Sequence, residues 1–117
     1  MMSPLRQIQL TLEVASGGQV NDQAGSVTTD IEYRGWLIAV HLQLPANAAP
    51  TSDFQVDIGQ PALRALNLTD HDESGWHYPM RTAQFGSLPI MGKLTFSAGQ
   101  CNSGIYVATI VYQELPF

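Results

Sequence analysis

From Gln7 to Val14, apolar and polar residues alternate: Ile8, Leu10, Leu12 and Val14 fall on one parity and Gln7, Gln9, Thr11 and Glu13 on the other. A strand sends successive side chains to opposite faces, so this spacing predicts a strand with one dry face. Gly17-Gly18 ends it, and Asn21–Gly25 reads as a polar connection. Val27, Thr29, Ile31 and Tyr33 form the next alternating run, with Thr28, Asp30 and Glu32 pointing outward, and Arg34-Gly35 reads as a bend. Trp36–Leu44 carries the strongest pattern, with Trp36, Ile38, Val40, Leu42 and Leu44 on one face and Leu37, Ala39, His41 and Gln43 on the other. Its first half is apolar on both sides, which predicts a central strand or one covered by a partner.

Pro45–Ser52, with two prolines, is a loop. Phe54, Val56 and Ile58 alternate with Gln55 and Asp57 and stop at Gly59. Pro61–Leu68 fits one helical turn or a strand, and its neighbours favour a strand. Thr69–Gly75 is polar and turn-rich, and Trp76–Arg81, interrupted by Pro79, is an edge strand or a structured loop. Pro89–Phe96 carries Leu94 and Phe96 with a bulge or turn at Gly92-Lys93, and Ser97–Gly104 reads as a loop of small polar residues. In Ile105–Tyr112, Ile105, Val107 and Val111 oppose Tyr106, Ala108, Ile110 and Tyr112, the pattern of a strand covered on both faces. No segment has a long helical period. Seven or eight short strands with sandwich-like turn spacing predict an all-β fold, a single antiparallel, jelly-roll-like β-sandwich over residues 1–117 with short arms at 1–6 and 113–117.

Composition narrows the function. The 117 residues suit one domain. Charged residues are 13%, about half the usual share. Ten acids oppose five bases, for a net charge of −5, and Lys93 is the sole lysine. That balance lacks the basic footprint of a nucleic-acid partner. No apolar run is long enough to span a membrane and the start lacks a signal-peptide core, so the expectation is a soluble chain made in a cytosol. Ser, Thr, Asn and Gln number 30 against 15 charged residues. A surface of uncharged amides and hydroxyls suits a protein packed against other proteins, because charges are depleted at interface cores. Cys101, the one cysteine, has no disulfide partner and reads as an incidental thiol near a turn.

The densest polar stretch is Asp70-His71-Asp72-Glu73-Ser74-Gly75-Trp76-His77. Asp70, Asp72, Ser74 and Gly75 match the opening of a calcium loop, but its twelfth position is Arg81 rather than a bidentate glutamate. Zinc on His71, His77 and Asp72 fits its usual ligand spacing less well, so ordinary turn chemistry accounts for the stretch and no metal or other cofactor is implied. His41 sits mid-strand with no acid fixed beside it, and Asp30/Glu32 and Asp53/Asp57 read as solvated strand faces. With no nucleophile elbow, P-loop or dinucleotide fingerprint, the chain reads as a non-enzyme. Trp76, His77, Tyr78, Pro79 and Arg81 form an aromatic patch with one cation. It can plug the core, anchor a protein interface or stack on a sugar.

The order of these features resembles the small all-β virion proteins of tailed bacteriophages, above all the capsid cement (decoration) proteins. The residues that carry the resemblance are Tyr33-Arg34-Gly35-Trp36-Leu37-Ile38-Ala39-Val40, Asp53-Phe54-Gln55-Val56-Asp57-Ile58, Asp72-Glu73-Ser74-Gly75-Trp76-His77-Tyr78-Pro79-Met80-Arg81, Gly92-Lys93-Leu94-Thr95-Phe96 and the closing Ile105–Tyr112 strand. The resemblance implies a structural protein, made in the bacterial host cytoplasm, that joins the virion exterior. There it binds the major capsid protein lattice as a homodimer or homotrimer. Interface candidates are then Trp76, His77, Tyr78 and Arg81, with Leu115 and Phe117 from the C-terminal arm. A carbohydrate-binding module or phage adhesin using Trp76 and Tyr78, and a head–tail connector or tail component, are the alternative expectations.

Overall fold

The computed structural model describes residues 5–15, 22–59, 64–78 and 88–114. These hold nine strands: β1 (Leu5–Val14), β2 (Gln23–Thr28), β3 (Tyr33–Gln43), β4 (Asp53–Asp57), β5 (Arg64–Leu68), β6 (Gly75–His77), β7 (Pro89–Gly92), β8 (Thr95–Cys101) and β9 (Gly104–Glu114). One sheet runs β1-β9-β3-β6, with β7 also paired to β3, and the other runs β2-β8-β4-β5. Every strand pair is antiparallel. The pairs are nested: β1 with β9, β2 with β8, β3 with β6 and β7, β4 with β5. The chain thus folds back on itself like one long hairpin about the β4–β5 connection and then rolls into two layers. With β7 as an addition, that is the jelly-roll order expected from the strand pattern.

Phe54 and Phe96 of one sheet stack at 6.2 Å, and Phe54 meets Tyr106 of the other at 5.7 Å. Leu10, Leu12, Val40, Leu42 and Ile110 close around them from the five-stranded sheet. Several elements differ from the sequence reading. The run Val27–Tyr33 is broken by a corner, where the Thr29 hydroxyl donates to Ile31 O (2.9 Å) and accepts from Leu94 N (3.0 Å). Asp30 and Glu32 therefore sit on a turn and not on a strand face, and Ile31 is exposed. Residues 23–25 belong to β2, because small Gly25 hides the alternation while its backbone lies against Leu12. Arg34-Gly35 does not bend: Gly35 lies inside β3, so close to the β9 backbone that a Cβ would collide with Gln113 O.

The Ser97–Gly104 segment is mostly strand. Phe96 and Ala98 face inward, then Gln100 (φ 47°) forms a bulge that turns Cys101 back into the core. A second bulge at Ile38 shifts the register of β3 on β9, so Leu37, Val40 and Leu42 face the core while Trp36, Ala39 and His41 face away. Leu5, Arg6, Gln113 and Glu114, expected in arms, are strand residues, and Arg6 Nε binds Glu114 Oε2 at 3.0 Å across β1 and β9. Residues 1–4 and 115–117 lie outside the described residues.

Candidate functional site

The β5–β6 connection carries the chain from the four-stranded to the five-stranded sheet, and hydrogen bonds donated by three backbone amides fix its path. Asp70 N donates to Asp53 Oδ1 (3.2 Å), His71 N to Ser52 O (2.9 Å), and Leu44 N to Ser74 Oγ (2.9 Å). They deliver β6 to β3 in the register Leu42↔Gly75, His41↔Trp76, Val40↔His77. The alternation then sends Trp76 outward and His77 inward. Trp76 meets the His41 ring edge-on at 4.9 Å. The His77 ring lies 5.2 Å from His71, whose Nε2 is 2.7 Å from Glu73 O and whose ring caps Phe54 at 6.3 Å. His77 Nε2 is buried without a hydrogen-bond partner. Burial holds the His77 pKa below its ordinary 6.5, with charge on His71 and then His41 acting the same way.

Trp76 and Tyr78 do not plug the core: they are 53% and 74% exposed. Of the remaining interface candidates, Arg81, Leu115 and Phe117 lie outside the described residues. Among the described residues, no group of three or more His, Cys, Asp or Glu side chains is placed to hold a metal ion. Asp57, half of one considered carboxylate pair, accepts from Arg64 Nε at 3.1 Å, and Asp53 anchors the Asp70 amide.

Trp76 stands at the margin of a larger surface, the outer face of the five-stranded sheet. Successive rows across β1, β9 and β3 read Leu5, Gln113, Trp36; Gln7, Val111, Ala39; Gln9, Thr109, His41; Thr11, Val107, Gln43. None of these twelve residues is Asp, Glu, Lys or Arg. Glu13 and Ile105 pair at one end, and Arg34 and Met91 at the other. The two-faced apolarity of β3 and β9 is plain in the sequence, but the membership of Leu5, Trp36 and Met91 is not. Pattern alone puts Leu5 in an arm and Trp36 on the opposite face, because the Ile38 bulge leaves no trace in hydropathy.

At the Arg34 end of the five-stranded sheet, a cleft of about 480 Å³ is lined by Ile31, Glu32, Tyr33, Arg34, Met91, Gly92, Tyr112 and Glu114. Tyr33 meets Tyr112 edge-on at 6.1 Å. Burial pushes the Tyr112 hydroxyl up, with the charges of Glu114 and Tyr33 adding and Arg6 opposing. Among the described residues, the lining includes no serine, threonine, cysteine, lysine or histidine. Cys101 is fully buried and donates to Gln23 O at 3.2 Å, and burial pushes its thiol pKa up. It is a free core thiol at the end of β8, next to the turn into β9.

No family model matches the chain, and no curated protein matches its sequence. Among solved structures, a serine protease of Aeromonas sobria aligns over 94% of this chain at 10% identity with a TM-score of 0.53. The chain spans 27% of that protease's length. The core of Drosophila NLP, described for its pentamer formation and histone binding, aligns over 95% of this chain and 99% of its own at 17% identity, TM-score 0.48. The VP2 subviral particle of infectious bursal disease virus aligns over 94% of this chain and 32% of its own at 10% identity, TM-score 0.34. At these identities the likeness is one of fold alone.

Proposed function

We propose that this protein is a non-enzymatic structural component of a tailed-phage virion, bound to the outer capsid lattice and stabilising it. The observation that carries this reading is where the surface keeps its apolar groups. Among the described residues the exposed large apolar groups, Ile31 apart, are spread over a broad sheet face with an uncharged centre and its aromatic corner at Trp76 and Tyr78, a shape that meets protein subunits rather than a small substrate. The resemblance of the order of its sequence features to cement proteins supplies the second support. A lattice strained by a packaged genome separates at its subunit junctions, and a small protein bound across a junction must be released first, so binding to the closed lattice stabilises it by mass action. Trp and Tyr at an exposed corner are the residue types that anchor such contacts.

The first test is copy number: quantitative mass spectrometry of purified particles, expressed per major capsid subunit. A ratio near one, or a simple fraction fixed by lattice axes, is the expected result. A handful of copies would move the protein to the neck or tail, and absence would refute the virion reading. The carbohydrate-binding alternative rests on the same exposed Trp76 and Tyr78. Trp76→Ala separates the two: loss of glycan binding with particle binding intact favours the sugar reading, and loss of particle binding favours the structural one.

A further inference from the structure

Strands β3 and β9 are apolar on both faces, yet the fold covers only one. Tyr106, Ala108, Ile110 and Tyr112 enter the core, while Ile105, Val107 and Val111 look out on the other side of the same strand. Around them stand Leu5, Trp36, Trp76 and Met91, between 39% and 65% exposed. We infer that this outer face is where a second copy of the chain packs, sheet against sheet. The inference rests on the structural-protein reading above and divides that surface: the sheet face goes to a second copy, and the corner at Tyr78 is left for the lattice.

Charge singles out the second copy. Each chain carries −5, so two copies repel wherever their acids meet. Asp30, Glu32, Asp70, Asp72 and Glu73 lie on loops, and Asp53 and Asp57 on the four-stranded sheet. The outer face of the five-stranded sheet carries one acid, Glu13, at its end. Two chains meet there with the least repulsion, and a strongly charged partner would find no counter-charge in its centre. The polar residues that remain suit self-pairing. Gln7, Gln9, Gln43 and Gln113 each donate and accept, as does Thr11, so any one of them can pair with whichever of the others a two-fold axis sets opposite it.

Size agrees. Strands β1, β9 and β3 side by side, with the short β6 and β7 both paired to β3, at about 4.8 Å between strands and about 3.3 Å per residue make a face on the order of 600 Å². Stable interfaces begin at about 600 Å² per partner. Stacked sheets in which side chains of both layers interdigitate are a standard packing solution.

Light scattering on the full chain tests this, and both of its tryptophans, Trp36 and Trp76, lie on the face and report on it. The expected mass at 100 µM is twice 12.8 kDa, falling to 12.8 kDa on dilution as acrylamide quenching of tryptophan rises in step. Val107→Lys, at the centre of the face, and Ile105→Lys, opposite Glu13, are expected to give folded monomers by circular dichroism. Gln55→Lys on the four-stranded sheet leaves the dimer intact. A monomer at every concentration overturns the inference, as does a dimer whose tryptophan quenching ignores dilution, a readout that needs no variant. A monomer that still occupies particles sinks this inference alone. A dimer absent from particles sinks the lattice-binding reading alone.

Discussion

Replacing Tyr106 with phenylalanine tests the core and its electrostatics together. Tyr106 is fully buried, and its hydroxyl donates to Asn102 O at 2.7 Å. Removing it breaks one short hydrogen bond and leaves a half-buried carbonyl without that donor, a loss of about 1–2 kcal/mol at neutral pH. For a chain of this size that lowers Tm by roughly 5 °C per kcal/mol. Burial pushes the Tyr106 pKa up to about 12, with the neighbouring Cys101 acting in the same direction. The folded protein therefore keeps a proton that the unfolded chain begins to release at about pH 10. A raised pKa contributes stability that is complete below pH 10 and lost as pH climbs toward 12, about 1.4 kcal/mol of it by pH 11. Phenylalanine has no proton to lose. The deficit of Tyr106→Phe is then expected to be about 1–2 kcal/mol at pH 7 and to shrink nearly to zero at pH 11, where the two terms cancel. Urea unfolding of both proteins at pH 7, 9, 10 and 11 reads this difference, and Tyr112 and Cys101 are present in both. A deficit constant from pH 7 to 11 would refute the claim that the buried hydroxyl resists ionisation.

Three further outcomes are expected. His77, held below its ordinary pKa, leaves the unfolded chain to take up the proton first, so stability is full above about pH 6.5 and falls as pH drops toward the lower folded value. His77→Gln should flatten the slope of the urea midpoint between pH 7 and 5, and an unchanged slope would exonerate His77. Gly59 has φ +146°, and a Cβ there collides with Met91 O at the bridge joining residues 59 and 91, so Gly59→Ala should cost about 2–4 kcal/mol in chemical denaturation. A loss under 1 kcal/mol would show that the backbone yields. Cys101 should label with a thiol reagent only as fast as the protein unfolds, and rapid labelling of the native chain would contradict its burial.

Much of the fold was legible in local pattern. Period-two alternation in Gln7–Val14 and Phe54–Ile58 identified β1 and β4 and their inward faces, because burial of one face of a pleat demands that spacing. The errors fall where a single residue changes parity or conformation. The bulges at Ile38 and Gln100 reverse the faces of the residues beyond them, and Gly25 and Gly35 are small because another chain segment lies against them. None of these leaves a mark in hydropathy. The aromatic patch was legible as residue types, but its exposure was not: Trp76 is outward because β6 pairs with His41 in one register rather than the next.

By itself the sequence determined the all-β class, the low charge and the double-sided apolarity of β3 and β9, since these are properties of composition and spacing. The tertiary structure decided which face of each strand the core would take. Nested pairing of distant strands set one side of β9 against Phe54 and left Val107 and Val111 outside, because a two-layer fold covers only one face of each sheet.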